Sequence, residues 1–462
     1  MLTARKQAFV LFLMVLALVL CSATAFAQPI TTYKGTFGDG ATYLIEVPAN
    51  WNGTLLLYSH GYVVPGAPNP AQDVGDPLTG AFLLSQGYAL GGSSYATTGW
   101  AVHEALPDQI AVLDTFASLV GQPRRTIAWG HSLGGMITAG LVQRFPNRFS
   151  GAMPMCGVLA GGVGVWNAGL DAGFGFYHLL GFGSGLQLVD ITDPITNLGI
   201  GETVLALAQA TPQGQARIAL SAALGDVPGW FNPTSPEPAR TDYSSRELNQ
   251  FLWLQQVDFP FQLAFRAELE ARAGGNPSWN TGVSYREQLE HSIDHAEVQA
   301  LYRKAGLSLD ADLEVLERAA RISANPASIT YLAHNIIYNG DIDIPVLTLH
   351  TTGDGLVAFE NEQAYASVVR EADDGSLLRQ TYVSRAGHCT FTPAEQIAGL
   401  QSLIARLDRG RWEAINANTL NKAAGALGPG LNILFLGSGT VGPSFVNTQP
   451  PRFLRPFDAP DE

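Results

Sequence analysis

Strand-like and helix-like runs alternate through the first third of the sequence, and this pattern constrains the fold more than any other feature. Short apolar runs, typical of buried parallel strands, are separated by segments with helical periodicity. The strand-like runs cover residues 41–47, 54–58, 88–93, 126–129 and 149–155, and the helix-like runs cover 77–86, 106–120 and 135–145. The alternation predicts an α/β fold with a mostly parallel central sheet, right-handed crossovers and flanking helices.

The alternation is interrupted once and then resumes. Residues 157–339 carry helix-like runs, one of them predicted as a single helix over 285–305, but no regular alternation of strand and helix. Strands are expected again at 345–350 and 378–384. We therefore expect one core split by an insertion. The core comprises residues 28–156 and 340–411, a mainly helical cap or lid comprises 157–339, and a loop-rich C-terminal extension comprises 412–462.

The first 27 residues have the pattern of a secretory signal peptide. Arg5 and Lys6 precede an apolar run over residues 8–20, and Ala25-Phe26-Ala27 provides a small-x-small cleavage site. The run is shorter than the roughly 20 residues that a spanning helix needs. We expect cleavage before Gln28, no stable membrane insertion afterwards, and a secreted or periplasmic protein; a retained anchor is the alternative.

The charge balance excludes one class of partner. The chain has 26 Lys plus Arg against 40 Asp plus Glu, a net charge of −14. Nucleic-acid binding requires clustered basic side chains that neutralise phosphates, so we expect no nucleic-acid partner. The oligomeric state is not predictable from these data.

Two motifs that suggest a cofactor or metal lack their context. Gly437-x-Gly439-x-x-Gly442 matches a dinucleotide fingerprint, but no helix is predicted after it. His291 and His295 lie four residues apart on a predicted helix, without a third ligand. We therefore expect no cofactor and no metal.

The pentapeptide Gly130-His131-Ser132-Leu133-Gly134 lies directly after a predicted strand and directly before a predicted helix. In this context a G-x-S-x-G motif forms a sharp turn that exposes the serine hydroxyl, with a helix N-terminus behind it. Ser132 is therefore the candidate nucleophile.

A serine nucleophile needs a base and a group that orients the base. Asp354 follows the predicted strand 345–350, and His388 follows the predicted strand 378–384, so both lie where catalytic groups of open α/β sheets lie. The oxyanion needs two backbone N–H donors. We expect them at Leu133, after the nucleophile, and at Tyr62, in the loop after strand 54–58.

These motifs resemble the α/β-hydrolase superfamily. The resemblance rests on residues 130–134, the His60-Gly61 loop, residues 352–354 and Gly387-His388, and it covers roughly residues 40–157 and 340–410. It implies a cap inserted after strand six and a Ser132, His388, Asp354 triad. The run 130–135 is similar to the nucleophile turns of lipases, esterases and prolyl-oligopeptidase-like enzymes alike, so it does not identify the substrate.

The resemblance implies a secreted serine hydrolase that needs no cofactor and acts on a small-molecule or polymeric carboxylic ester. Two alternatives remain open: a prolyl-oligopeptidase-like peptidase and a non-catalytic binding protein with the hydrolase fold. The Gly-rich aromatic stretch 166–182 suggests movable loops around an apolar substrate pocket, although the same residues could simply pack the cap.

His388-Cys389 also resembles tannases and feruloyl esterases, in which the cysteine after the catalytic histidine bonds one just before the serine. Here that second position is His131. Cys156, at the end of the strand after Ser132, could replace it, and we hypothesise a Cys156–Cys389 disulfide. Two free buried cysteines are the alternative.

Overall fold

The computed structural model describes residues 29–457, so the predicted signal peptide lies outside the described residues. The described chain forms one nine-stranded sheet. Its strands are β1 Ile30–Thr36, β2 Thr42–Pro48, β3 Thr54–Ser59, β4 Ala89–Ser93, β5 Arg125–His131, β6 Gly151–Met155, β7 Val346–Gly353, β8 Leu378–Ala386 and β9 Phe445–Val446.

The sheet is mostly parallel. The strand order is β1-β2-β4-β3-β5-β6-β7-β8-β9. Strands β4, β3, β5, β6, β7 and β8 run parallel to their neighbours in this order, whereas β1, β2 and β9 pair antiparallel at the edges. The predicted fold class is therefore confirmed. Because parallel neighbours end at the same edge, the loops after β5, β6, β7 and β8 meet there.

Five helices cover the two faces of the sheet. They are α1 Pro77–Ser85, α2 Val102–Leu119, α3 Leu133–Arg144, α13 Asn361–Glu371 and α14 Pro393–Arg409. Strand β3 is buried along its whole length, and its side chains alternate between the two faces. Leu55 and Leu57 pack towards α2 and α3, whereas Leu56 packs in the cluster that includes Leu403 of α14. Burial on both faces explains why these central strands are uniformly apolar.

The segment between β6 and β7 is helical. It contains α4 Gly161–Phe176, α5 Pro194–Gln209, α6 Pro212–Leu224, α7 Tyr243–Trp253, α8 Arg266–Ala273, α9 Tyr285–His291, α10 His295–Ala305, α11 Leu309–Arg318 and α12 Pro326–Asn335. Short π-helical segments, which are wider than α-helix, interrupt this part of the chain. One follows α4 at Tyr177–Gly181, and two join α7 to α8 at Leu254–Asp258 and Pro260–Phe265.

Two expectations for the insertion are wrong. The stretch expected as Gly-rich loops is mainly helix α4, whose glycines let other elements approach closely; the side chain of Gln262, for example, lies where a side chain on Gly169 would be. Trp166, Phe174 and Phe176 are buried in the packing of this helix, while Phe182 is exposed.

The single helix expected over 285–305 is two helices. Ser292 is in an extended conformation after α9, and Asp294 precedes α10 with its buried carboxylate bonded to Arg246 and Gln250. His291 therefore ends one helix and His295 begins the next, so they do not share one helical face as a metal pair would require.

Both ends of the described chain are more ordered than the sequence predicts. Strand β1 precedes the expected first strand and pairs with β2 at an edge of the sheet, where most of its residues are exposed. The C-terminal extension forms helix α15 Ala417–Ala426 and strand β9. It then crosses the insertion, where Phe453 is buried and Arg455 pairs with the buried Asp171 of α4. Within residues 29–457, no helix is both long and apolar enough to cross a membrane.

Candidate active site

Ser132 occupies a strained turn between β5 and α3. Its backbone has φ 59° and ψ −124°, a left-handed conformation that non-glycine residues rarely adopt. The turn closes tightly because Gly134 packs on the Ser59 carbonyl, where any Cβ would collide with the backbone. This conformation lifts a half-buried Ser132 hydroxyl above the C-terminal edge of the sheet.

Asp354 lies in the loop directly after β7 and is buried. Its Oδ1 accepts hydrogen bonds from the N–H groups of Leu356 at 3.1 Å and Val357 at 3.0 Å. Its Oδ2 lies 2.7 Å from Nδ1 of His388. Burial favours the neutral acid, but the charges and hydrogen bonds of His388 and His350 outweigh it and lower the pKa of Asp354. The carboxylate is therefore ionised and fixed in orientation.

His388 lies in the loop after β8 and is half-buried. Because its Nδ1 is bonded to Asp354, its Nε2 is the nitrogen left to act on another group. That Nε2 lies 3.4 Å from Cys389 Sγ, and no hydrogen bond joins it to Ser132 Oγ in the described part of the chain. Catalytic hydrogen bonds are often long without substrate, so the lack of this bond is compatible with His388 acting as a base for Ser132.

A disulfide joins Cys156 and Cys389, whose Cα atoms are 5.4 Å apart. The alternative of two free thiols is therefore not what the structure contains. The Ser132 N–H donates to the Met155 carbonyl at 3.0 Å, and the next residue, Cys156, is bonded to the neighbour of His388. The Ser132 turn is thus connected to the His388 loop by a hydrogen bond to Met155 and then by the disulfide of Cys156.

The loop after β3 lies directly against Ser132. A Cβ on Gly61 would be 3.3 Å from Ser132 Cβ. The Gly61 carbonyl faces Nδ1 of His60 at 2.7 Å, and in a trans peptide the following Tyr62 N–H points the opposite way. Leu133 is the first residue of α3, so its N–H has no acceptor within the helix. The assignment of these two N–H groups to an oxyanion remains a prediction.

One long helical segment of the insertion spans the site, and sequence analysis did not identify it. Trp253 packs on Gly355, next to Asp354, and the half-buried Asp258 lies near the Asp354 charge. Further along, Phe261 and Phe265 stack against the Tyr62 ring, with centroids 5.2 and 5.8 Å away. The segment therefore reaches from the Asp354 loop to the Tyr62 loop.

A buried histidine and a buried glutamate beside Asp354 were also missed. His350, on β7, lies 3.6 Å from Asp354 Oδ2, and its other ring nitrogen lies 3.2 Å from Glu362 of α13. His350 falls inside an apolar run and Glu362 follows it on a helix, so only their spacing of four and eight residues from Asp354 could have drawn attention to them.

The site offers little to a metal or nucleotide. Cys156, His388 and Cys389 lie close enough together to share an ion, but both sulfurs are joined in the disulfide and cannot act as thiolates. Around Gly437 and Gly439 the chain makes a turn bridged by Ile433 and Thr440, and the next named element is the short strand β9. The strand–turn–helix context of a dinucleotide site is not formed there.

The strand order, with an antiparallel β2 and crossing β3 and β4, and the strained serine turn after β5 define the α/β-hydrolase fold. No family model matches the chain. Over 433 residues the sequence is 29% identical to an o-phthalyl amidase from Xanthobacter agilis, an alignment covering 87% of this chain and 93% of the relative.

Solved structures that match this chain include two esterases and a peptidase. An esterase from Aspergillus oryzae has 14% identity and a TM-score of 0.42, covering 82% of this chain and 80% of its own. A rice cell wall degrading esterase from Xanthomonas oryzae has 14% identity and a TM-score of 0.36, with 82% and 89% coverage. An acylaminoacyl peptidase from Pyrococcus horikoshii has 10% identity and a TM-score of 0.39, with 87% and 45% coverage.

Proposed function

We propose that this protein is a serine hydrolase that transfers the acyl group of a carboxylic acid derivative to water. The observation that carries the proposal is the pairing of a strained Ser132 turn with an Asp354–His388 hydrogen bond of 2.7 Å at the same edge of the sheet. A strained serine between a strand and a helix, and a buried carboxylate that orients a histidine, are the two parts that serine catalysis requires.

In the proposed mechanism, Ser132 Oγ attacks the substrate carbonyl while His388 Nε2 accepts its proton. Asp354 holds the imidazole so that Nδ1 carries the other proton and stabilises the imidazolium that forms. The N–H groups of Leu133 and Tyr62 bind the oxyanion. His388 then protonates the leaving group, and water attacks the acyl-enzyme by the reverse sequence to regenerate Ser132.

Carboxylic esters are the first proposed substrates, as the sequence motifs imply. Amides are a second candidate, favoured by the near-full-length relative that is an amidase. Hydrolysis of an ester and of an amide needs the same nucleophile and oxyanion site. The two reactions differ in the leaving group, because an amide nitrogen depends more strongly than an ester oxygen on protonation by His388. The peptidase and the binding protein remain alternatives to be excluded by assay.

Ser132→Ala provides the direct test of the proposal. The purified wild-type protein should be labelled by a fluorophosphonate probe at Ser132, and S132A should be neither labelled nor active. Ser85→Ala, on the exposed end of α1, is the matched control and should behave as the wild type. Near-native hydrolysis of a nitrophenyl ester by S132A would refute the assignment.

A panel of substrates distinguishes the four candidate functions: esterase, amidase, peptidase and binding protein. We would compare short-chain nitrophenyl esters, nitroanilides of the same acids, a phthalic monoamide and Gly-Pro anilide. Ester turnover alone supports the first candidate, and turnover of the simple anilides or the phthalic amide supports the second. Cleavage of Gly-Pro anilide alone indicates a peptidase, and failure of all substrates and of the probe indicates a binding protein.

We also propose that the protein is exported and processed before Gln28, as residues 1–27 predict. The disulfide supports this proposal, because such bonds persist in oxidising compartments. N-terminal sequencing of the exported protein should begin at Gln28. An intact Met1 on the mature protein would contradict the proposal.

A further inference from the structure

A second histidine lies close to the Asp354 carboxylate of the proposed triad. His350 is fully buried on β7. Its Nε2 lies 2.9 Å from the Val357 carbonyl and 3.6 Å from Asp354 Oδ2, and its Nδ1 lies 3.2 Å from Glu362 Oε1. Asp354 Oδ2 therefore lies between two imidazole rings, that of His388 and that of His350.

The partners of His350 determine its protonation. A carbonyl oxygen can only accept a hydrogen bond, so the His350 Nε2 that faces Val357 must carry a proton. Glu362 already accepts from Thr348 Oγ1 and Gln380 Nε2 on its other oxygen, both at 2.5 Å, so Oε1 is the atom left to face His350. A hydrogen bond from His350 Nδ1 to this oxygen requires a second ring proton, which makes the ring an imidazolium.

We propose that His350 is a buried imidazolium that acts as a positioning residue, keeping the Asp354 carboxylate ionised and oriented towards His388. The inference rests on the proposed hydrolase function, because it assigns His350 to the same site. The Val357 backbone completes the link, since its N–H donates to Asp354 and its carbonyl accepts from His350. Glu362 in turn keeps His350 charged.

The acids and tyrosines around His350 do not supply a positive charge in its place. Burial opposes the charge on His350, but its bonds with Asp354 and Glu362 raise its pKa to about 10. Burial raises the pKa of Glu360 to about 8, so Glu360 is neutral below pH 7, and burial also raises the pKa of Asp258 well above its ordinary value. The groups facing this network are Asp354, Glu362, Glu360, Asp258, Tyr365 and Tyr382.

The charge on His350 can be tested without measuring activity. In ¹⁵N–¹H spectra of the histidine rings of the whole protein, one buried histidine should show two ring N–H signals that persist from about pH 6 to pH 9, well above the ordinary histidine range. His350→Gln should remove both signals and so assign them. A His350 with a single ring N–H at neutral pH would overturn the inference.

The positioning role is tested by the pH profile of kcat/KM for an ester or amide that the wild type cleaves. Loss of the cation in H350Q should move the acid limb upward by about one pH unit, because proton binding to the Asp354–His388 pair is no longer opposed. Glu362→Gln should move it in the same direction. His103→Gln, which changes an exposed histidine bonded to Asn335, is the control and should leave the limb in place.

A uniform loss of rate in H350Q and E362Q, with the acid limb unmoved, would show a merely structural role and refute the proposal. If H350Q does not fold, E362Q and the wild-type ring signals still decide it. If the wild type has neither turnover nor probe labelling, the proposed function fails, whereas the ring signals still report whether His350 is charged.

Discussion

Three single residues around the site have a strained backbone. Ser132, Cys156 and Cys389 have φ values of 59°, 42° and 55°, which non-glycine residues adopt at a cost of roughly 1–3 kcal/mol each. They lie at the ends of β5 and β6 and after β8, and the disulfide joins two of them. The surrounding packing and the covalent bond hold conformations that the isolated turns would not adopt.

Asp354→Asn is the informative change at the residue scale. The asparagine oxygen can still accept from the N–H groups of Leu356 and Val357, so its amide nitrogen faces His388 and donates a hydrogen bond. This favours the wrong tautomer of His388, and we expect kcat to fall by about 10⁴. The measurement is kcat/KM on the best substrate, with the exposed Asp341→Asn as the control. A loss below tenfold would contradict an orienting role for Asp354.

The residues that follow predicted strands could be located from the sequence. Ser132, Asp354 and His388 each lie a few residues after a predicted strand, and the parallel sheet brings the ends of those strands to one edge. His350 could not be predicted in the same way, because it lies inside its strand, where a polar residue ordinarily indicates a satisfied core position. Its importance depends on a 3.6 Å distance that only the turn after β7 creates.

At the scale of elements, the disulfide is expected to stabilise both the fold and the histidine loop. It closes a loop of 233 residues, for which the chain-entropy model gives about 5 kcal/mol, an upper value for real proteins. The double variant C156S/C389S should melt at a lower temperature and lose activity. A reducing agent should lower the melting temperature of the wild type and leave that of the double variant unchanged.

An unchanged melting temperature of the wild type after complete reduction would contradict this expectation. Mass spectrometry of non-reduced peptides verifies the bond independently. The Cys156–Cys389 pairing was itself one of two possibilities from the sequence, because cysteine spacing does not determine whether two loops meet. It is decided by the register of β6, β7 and β8, which places both loops at one edge.

The helical segment over the site shows why local rules failed in the insertion. Pro260 lies inside this segment, and a proline ordinarily breaks a regular helix because it lacks the backbone N–H. In the structure the helix continues through this position with wide turns at Leu254–Asp258 and Pro260–Phe265. Such turns are frequent at functional sites and accommodate local disruption of the regular hydrogen-bond pattern.

At the scale of the whole molecule, buried acids determine how stability varies with pH. Burial raises the pKa of Asp73, Glu247 and Glu297 to about 7 and that of Glu360 to about 8. Between about pH 5 and pH 8 the folded protein therefore holds protons that the unfolded chain has released, so stability falls as pH rises. His350 contributes with the same sign above about pH 6.5, its unfolded value.

We expect the melting temperature to be higher near pH 5 than near pH 8, by roughly 5 °C or more. Asp354, whose pKa is lowered, opposes this trend only below about pH 4, its unfolded value. Glu247→Gln should flatten the dependence, and the exposed Glu287→Gln should not. A melting temperature that rises steadily from pH 5 to pH 8 would contradict the expectation.

The edges of the molecule were the least predictable part. Strand β1 is mostly exposed, and β9 has two residues, so neither has a clear apolar pattern. The path of the C-terminal extension depends on distant contacts, such as those of Arg455 with Asp171 and the Trp279 carbonyl. Long-range contacts of this kind leave no periodic signal in the sequence.

The insertion between β6 and β7 also affects the order in which the protein is made. Strand β6 pairs with a strand that follows about two hundred residues later, and the histidine and the second cysteine come later still. A growing chain therefore carries the Ser132 turn beside an unpaired strand edge while about two hundred further residues are synthesised. Such edges promote aggregation, and late long-range pairing slows folding. In the proposed mechanism, this delay also leaves Ser132 without its base until His388 has been synthesised.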